Sequence, residues 1–138
     1  MIHRPAYPPR ETRLVMRSVL IALLPGIVVM SIFFGAGVLL NLATAIVTAL
    51  LSEALCPKLR HRSIQPRLSD WSVVLTGVLI ALSLPQAAPW WLTIAATASA
   101  VMLGKHLYGG LGQNPVNPAM LGYALMLISA PVAMTTLW

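Results

Sequence analysis

Two stretches of the chain, residues 18–52 and 71–104, contain no charged side chain. Each is long enough for two membrane spans of roughly 20 residues. Breakers and charges divide the sequence into five predicted helices. The first covers 18–34 and is separated from a second, 38–55, by the turn Phe34-Gly35-Ala36-Gly37. A third covers 71–84, with Ser69 or Asp70 as a natural N-cap, and is stopped by the "LPQAAPWW" segment. Its fourteen residues rise only about 21 Å, short for a hydrocarbon layer of about 30 Å. A fourth, 89–107, opens on Pro89 in its first turn, with Trp90 and Trp91 at the interface. The last covers 118–137 and is interrupted by Pro131. Residues 1–17 read as an N-terminal arm, and 18–138 as the transmembrane region.

Composition agrees with this pattern: 58% of the 138 residues are hydrophobic and 9% charged, against about 25% charged in a soluble domain. The chain is predicted to be an integral membrane protein. A cleavable signal peptide is not expected, because the apolar stretch after Arg17 has no small-x-small site and runs into further apolar sequence. With five alternating spans, all nine Lys and Arg fall on one side: four before the first span, four between the second and third, and Lys105 after the fourth. The positive-inside rule therefore puts the N-terminus and the basic loop in the cytoplasm. The net charge of +6 reads as topology and contact with anionic lipid. Nucleic-acid binding is not expected, since the aromatic residues belong to membrane boundaries and are not interleaved with the basic ones.

The lone cysteine, Cys56, excludes an internal disulfide or a CxxC cradle and reads as a small filler at a helix end. His3, His61 and His106 stand beside basic residues and read as interfacial side chains, so no metal site is expected. An acid inside a span is a functional candidate. Glu53 has two readings: a headgroup-level residue paired with Lys58, which is the plainer one, or part of a cation pathway. Glu11 belongs to the arm. No side chain reads as a catalytic acid, base or nucleophile.

The segment "GGLGQNPVNPAMLGYAL", 109–125, departs from the apolar pattern. Glycine lets backbone approach a ligand closely. Irregular backbone at membrane depth survives only where protein buries it or a cavity wets it. Asn117 followed by Pro118 forms a good helix start, with a first turn suited to an anion or an electron-rich ring. Gly109, Gly110, Gly112, Asn114 and Asn117 are therefore the candidate cofactor-lining residues. The alternative reading of the same residues is a tight turn that lets helices pack closely. On the ligand reading, Asn117→Leu is expected to disturb assembly or electron transfer more than Asn41→Leu in the second span. The "NPA" at 117–119 resembles a water-channel signature, but the two Asn-Pro pairs lie on one turn rather than on two opposed half-helices.

"KHLYGGLGQNPVNPAMLGYALMLISAPVAMTTLW", together with "LLSEALCPKLRHRSI", "SDWSVVLTGVLIALSLPQAAPWW" and "LLPGIVVMSIFFGAG", resembles the RnfD/RsxD family of membrane subunits of the bacterial Rnf ion-translocating electron transport complex. More distantly it is similar to the NqrB membrane subunit of the sodium-pumping NADH:quinone oxidoreductase. The resemblance implies an all-α membrane fold in which this chain supplies one half of a two-repeat arrangement. It also implies an inner-membrane location and a non-autonomous subunit of a translocase-type oxidoreductase. That complex passes electrons between ferredoxin or NADH and an acceptor, coupled to movement of Na⁺ or H⁺. Implied partners are the other Rnf subunits, A, B, C, E and G, and membrane lipid.

Family members carry FMN joined to a threonine in a Ser-x-Ala-Thr motif, expected beyond residue 138; riboflavin is a further candidate. Ala95-Ala96-Thr97 lacks the leading Ser and sits in apolar sequence, so flavin attachment is not transferred to Thr97. The chain is expected to be truncated relative to the family. The competing function is one half of a channel or carrier built on a re-entrant Asn-Pro half-helix.

Overall fold

The computed structural model describes residues 9–59, 71–107 and 115–137, and these are helical apart from short connections, with no strand among them. Helix α1 is Pro9–Phe34 and α2 is Ala36–Leu59. A single residue, Gly35, joins them at φ 76, with its N–H donating to Ser31 O at 3.0 Å. Only glycine takes that left-handed dihedral without steric cost, which is why so abrupt a turn stands here. The first helix starts at Pro9, within the segment predicted as an arm.

Helix α3 is Ser72–Ser83. The residue flanking its start is Trp71, at φ 63 and with no side-chain cap; Ser69 and Asp70, the predicted caps, lie outside the described residues. Leu84 turns extended and Pro85 to Pro89 bridge to α4, Trp90–Ser99. The helix does not end at Ser99. It widens over Ala100–His106 into π turns, with Leu107 N–H reaching Met102 O five residues back at 3.1 Å. Helix α5, Pro118–Ser129, follows, and after a break at Ala130 (φ −136, ψ 59) comes α6, Pro131–Thr136. Pro131 accounts for that break, because it has no N–H to continue the helix.

Two of these helices, over Glu11–Phe34 and Ala36–Cys56, are long and apolar enough to cross a membrane; Ser72–Ser83 and Pro118–Ser129 are apolar but shorter. No residue of the span in α1 is buried by the rest of the chain, whereas α2 is central. The main core joins Ile80, Leu84, Leu92, Ala96, Ala100, Ala119, Met126 and Met134, from α3, α4, α5 and α6.

Helices α2 and α4 run parallel with a fixed register. Thr93 pairs with Asn41 and Lys105 with Glu53, both at a sequence separation of 52. Between these pairs, Ala45 and Ala49 on α2 and Thr97 and Val101 on the α4 side are fully buried. The spacing is every fourth residue on both helices, and small residues at that spacing let helix backbones approach in a bilayer. Gly77 of α3 closes the same layer, a Cβ there meeting Ala45 O at 3.2 Å and Ala49 Cβ at 3.3 Å.

Asn41 ties one end of this seam. Its Nδ2 donates to Pro85 O at 3.1 Å and its Oδ1 accepts from the Thr93 hydroxyl at 3.0 Å. Asn117 does less, capping α5 from an exposed position by accepting from Ala119 N–H at 3.0 Å. For the stability of this bundle Asn41 therefore matters more than Asn117, a different quantity from the assembly and electron transfer to which the expected ranking refers. Asn41→Leu strands a buried carbonyl and a buried hydroxyl, at about 1–3 kcal/mol each, while Asn117→Leu costs about 1 kcal/mol of cap. Thermal unfolding of the detergent-solubilised chain should show the larger loss for Asn41→Leu.

At Gly104 an added Cβ would lie 2.8 Å from Pro118 Cα and 2.9 Å from Pro118 Cβ, so backbone meets backbone where the π segment crosses the start of α5. Gly104→Ala should lower stability by about 1–3 kcal/mol, read as a depressed unfolding midpoint in the same assay.

Candidate functional site

At the other end of the seam three helices converge on one carboxylate. Glu53 comes from α2, Ser72 opens α3, and Lys105 and His106 come from the π segment. The Lys105 ammonium donates to Glu53 Oε1 at 2.9 Å and to Ser72 Oγ at 3.0 Å. His106 Nε2 lies 2.9 Å from Glu53 Oε2, so the imidazole donates from Nε2 to the second carboxylate oxygen. Glu53 is fully buried, and Ser72, Lys105 and His106 nearly so.

The local helix geometry has a chemical purpose here. In an α-helix consecutive side chains point about 100° apart, which does not favour two neighbours reaching one group. The π turns of Ala100–His106 accompany the delivery of both Lys105 and His106 to the same carboxylate, and π segments occur often at functional positions.

Two expectations are sharpened. Glu53 is paired with a base, as expected, but it is enclosed by protein and the base is Lys105, 52 residues further along the chain. His106 is enclosed as well, as a buried partner of Glu53. Electrostatics explains both. A buried carboxylate without a partner costs several kcal/mol, so Glu53 gathers the cation that stands at its own level in the bundle. Ser72 carries no distinctive signal in the sequence, being one serine at a helix start. The signal that reveals the cluster is the matched every-fourth spacing of Asn41, Ala45, Ala49, Glu53 and of Thr93, Thr97, Val101, Lys105.

The predicted cofactor-lining residues divide differently. Gly109, Gly110, Gly112 and Asn114 lie outside the described residues. Asn117 is described and lines an open groove of about 540 Å³ between α3 and α5, with Leu79, Ser83, Met120, Tyr123 and Leu127 among its other walls. Thr97 is fully buried, and its hydroxyl has no hydrogen-bond partner among the described residues. Cys56 is half-buried near the end of α2. No group of three or more His, Cys, Asp or Glu able to hold a metal occurs among the described residues.

The cluster also makes an energetic statement that can be tested. Removing one partner of a buried ion pair costs about 3–5 kcal/mol, whereas replacing both by neutral groups of similar shape costs much less. Glu53→Gln should therefore destabilise the chain strongly, and Glu53→Gln/Lys105→Met should recover part of the loss. A double-mutant cycle on unfolding midpoints measures this coupling.

Comparison with known proteins adds the following. Residues 5–138 match the NQR2, RnfD, RnfE family. A protein of Salmonella arizonae, named as the D subunit of an ion-translocating oxidoreductase complex, is 52% identical over 127 residues, covering 92% of this chain and 36% of that relative. Proteins of the same name from Salmonella paratyphi B and Salmonella typhimurium are 50% identical with the same coverage. The chain thus spans about a third of the length of the curated relatives it matches.

Proposed function

The chain belongs to the NQR2, RnfD, RnfE family, and on that footing we propose that it is a membrane subunit of an ion-translocating, Rnf-type electron transport complex. The observation that carries this reading is the 52% identity, over 92% of the chain, to a protein named as the D subunit of an ion-translocating oxidoreductase complex. In that role it acts with the other subunits of the complex, A, B, C, E and G, in the bacterial inner membrane. The complex moves electrons between ferredoxin or NADH and an acceptor and couples them to Na⁺ or H⁺ transfer.

The one-sided distribution of Lys and Arg supports an orientation with the N-terminus in the cytoplasm. Glu53 stands in the last turns of α2, close in sequence to the basic segment that follows. In this orientation the Glu53 cluster belongs to the cytoplasmic end of the bundle. A charged group buried inside a membrane bundle is by default a functional candidate, and in this reading the contribution of these residues is to hold charge in a fixed place.

FMN, the cofactor implied by the family, supplies one- and two-electron transfer when bound. The described residues do not fit its phosphate. The groove at Asn117 offers Ser83, Asn117 and Tyr123 as its polar walls and no cationic side chain, whereas a phosphate calls for Arg, Lys or several backbone N–H donors. The hydroxyl of Thr97 is enclosed between helices. No electron-transfer step is therefore assigned to these residues.

The test is purification of the tagged chain from bacterial membranes, followed by in-gel flavin fluorescence after denaturation. The expected outcome is co-purification of flavin-bearing complex subunits, with no fluorescence on the 138-residue band itself. Recovery of the chain with no redox protein attached would overturn the assignment.

A further inference from the structure

We propose that the end of the α2–α4 seam remote from Glu53 binds internal water, anchored by the Gln86 side-chain oxygen and the Thr97 hydroxyl, and that this hydration stops at an apolar layer short of the Glu53 cluster.

Unspent hydrogen-bonding capacity gives the first argument. Among the described residues, two buried side-chain atoms have no hydrogen-bond partner, Gln86 Oε1 and Thr97 Oγ1. Thr97 has no solvent exposure and Gln86 is 8% exposed. A threonine inside a helix readily returns its hydroxyl to the carbonyl four residues back, as Thr44 does on α2 at 2.7 Å and Thr76 on α3 at 2.9 Å. Thr97 makes no such bond. A buried polar atom left without a partner is costly, and ordered water is the partner that satisfies such groups.

Placement gives the second. The Gln86 carbonyl packs on Gly37, where a Cβ would come within 2.6 Å of its oxygen. One turn further along α2, Asn41 meets Pro85 O and the Thr93 hydroxyl. The same spacing brings Ala45 level with Thr97. A bound water needs roughly two to four polar partners. Gln86 Oε1 is an acceptor, Asn41 Nδ2 carries a second hydrogen beyond the one given to Pro85 O, and the Thr97 hydroxyl acts as either donor or acceptor. These groups follow one another along a single seam. Ala87, beside Gln86, is exposed, so the seam reaches the surface of the chain at this end.

The third argument concerns where water stops. Ala49 of α2, Val73 of α3 and Val101 of the π segment pack together with no exposure. They fill the level between Thr97 and Lys105 and bring no polar side-chain atom to it. Apolar enclosures stay dry. The seam is thus wet from one end, and its water is separated from Glu53 by one layer of hydrocarbon.

Thiol hydrogen exchange tests this, because an S–H group exchanges with deuterium where water touches it and its infrared stretch is clear of other protein bands. In a Cys56→Ser background, Thr97→Cys and Val101→Cys place one thiol at the wet level and one in the dry layer. After transfer of the solubilised chain to deuterium oxide, the first thiol should exchange about ten-fold faster than the second. A Thr97→Cys thiol that exchanges no faster than the Val101→Cys thiol overturns the proposal. Gln86→Leu added to Thr97→Cys should slow the exchange several-fold, and an unchanged rate overturns the anchoring role of Gln86. If the cysteine variants do not accumulate, thermal unfolding of Thr97→Val decides the matter, since valine keeps the shape and removes the hydroxyl. Loss of a water-bonded hydroxyl lowers the midpoint by about 3 °C, which supports the proposal. Removal of a dry, unpartnered hydroxyl leaves the midpoint unchanged or raises it, and that result overturns it.

Discussion

A carboxylate with no access to water governs how this bundle is put together. Glu53 is fully buried on α2, and its two oxygens take donors from outside that helix. Those donors arrive from a helix far along the chain, and Ser72 joins because the ammonium it helps to hold has hydrogens to spare. Non-polar packing alone lets apolar helices slide past one another in lipid, which is no less apolar than they are. The charged cluster removes that freedom by fixing which residue of α4 stands beside which residue of α2.

The rest of the seam follows from that register. With Lys105 level with Glu53, Thr93 must fall level with Asn41, and it is bonded there. Small side chains at the intervening positions let the two backbones close up. The non-helical connection after α3 is sheltered by the same arrangement: Asn41 bonds Pro85 O, Gln86 Nε2 donates to Leu84 O, and Ala87 N–H donates to Leu137 O near the end of the last helix. Irregular backbone is tolerated in a membrane bundle where its polar groups find protein partners in this way.

Much of this architecture is legible from local chemistry. Gly35 between two apolar runs, Pro89 before paired tryptophans, Asn117-Pro118 and Pro131 each mark a boundary where the helices do begin or end. Each acts through its own backbone preferences and needs no knowledge of the neighbours. The Glu53 cluster is different. Lys105 and His106 stand next to the Gly-rich segment and on local grounds count as surface residues, because nothing local reveals that a π-widened helix will turn both toward one acid. Asn41 ranks below Asn117 on the same grounds, since a buried hydrogen bond between helices leaves no mark on either sequence segment. The parallel four-residue spacings on α2 and α4 contain the information, but only when read together.

The shortness of α3 has a consequence for where it can stand. Its 12 residues rise about 18 Å, whereas the uncharged part of α1, residues 18–34, rises about 26 Å. No residue of α3 is exposed, so the shortfall lies inside the bundle, where neighbouring side chains rather than lipid take up the difference. A helix too short to span a hydrocarbon layer of about 30 Å by itself is thus kept from lipid by the helices around it.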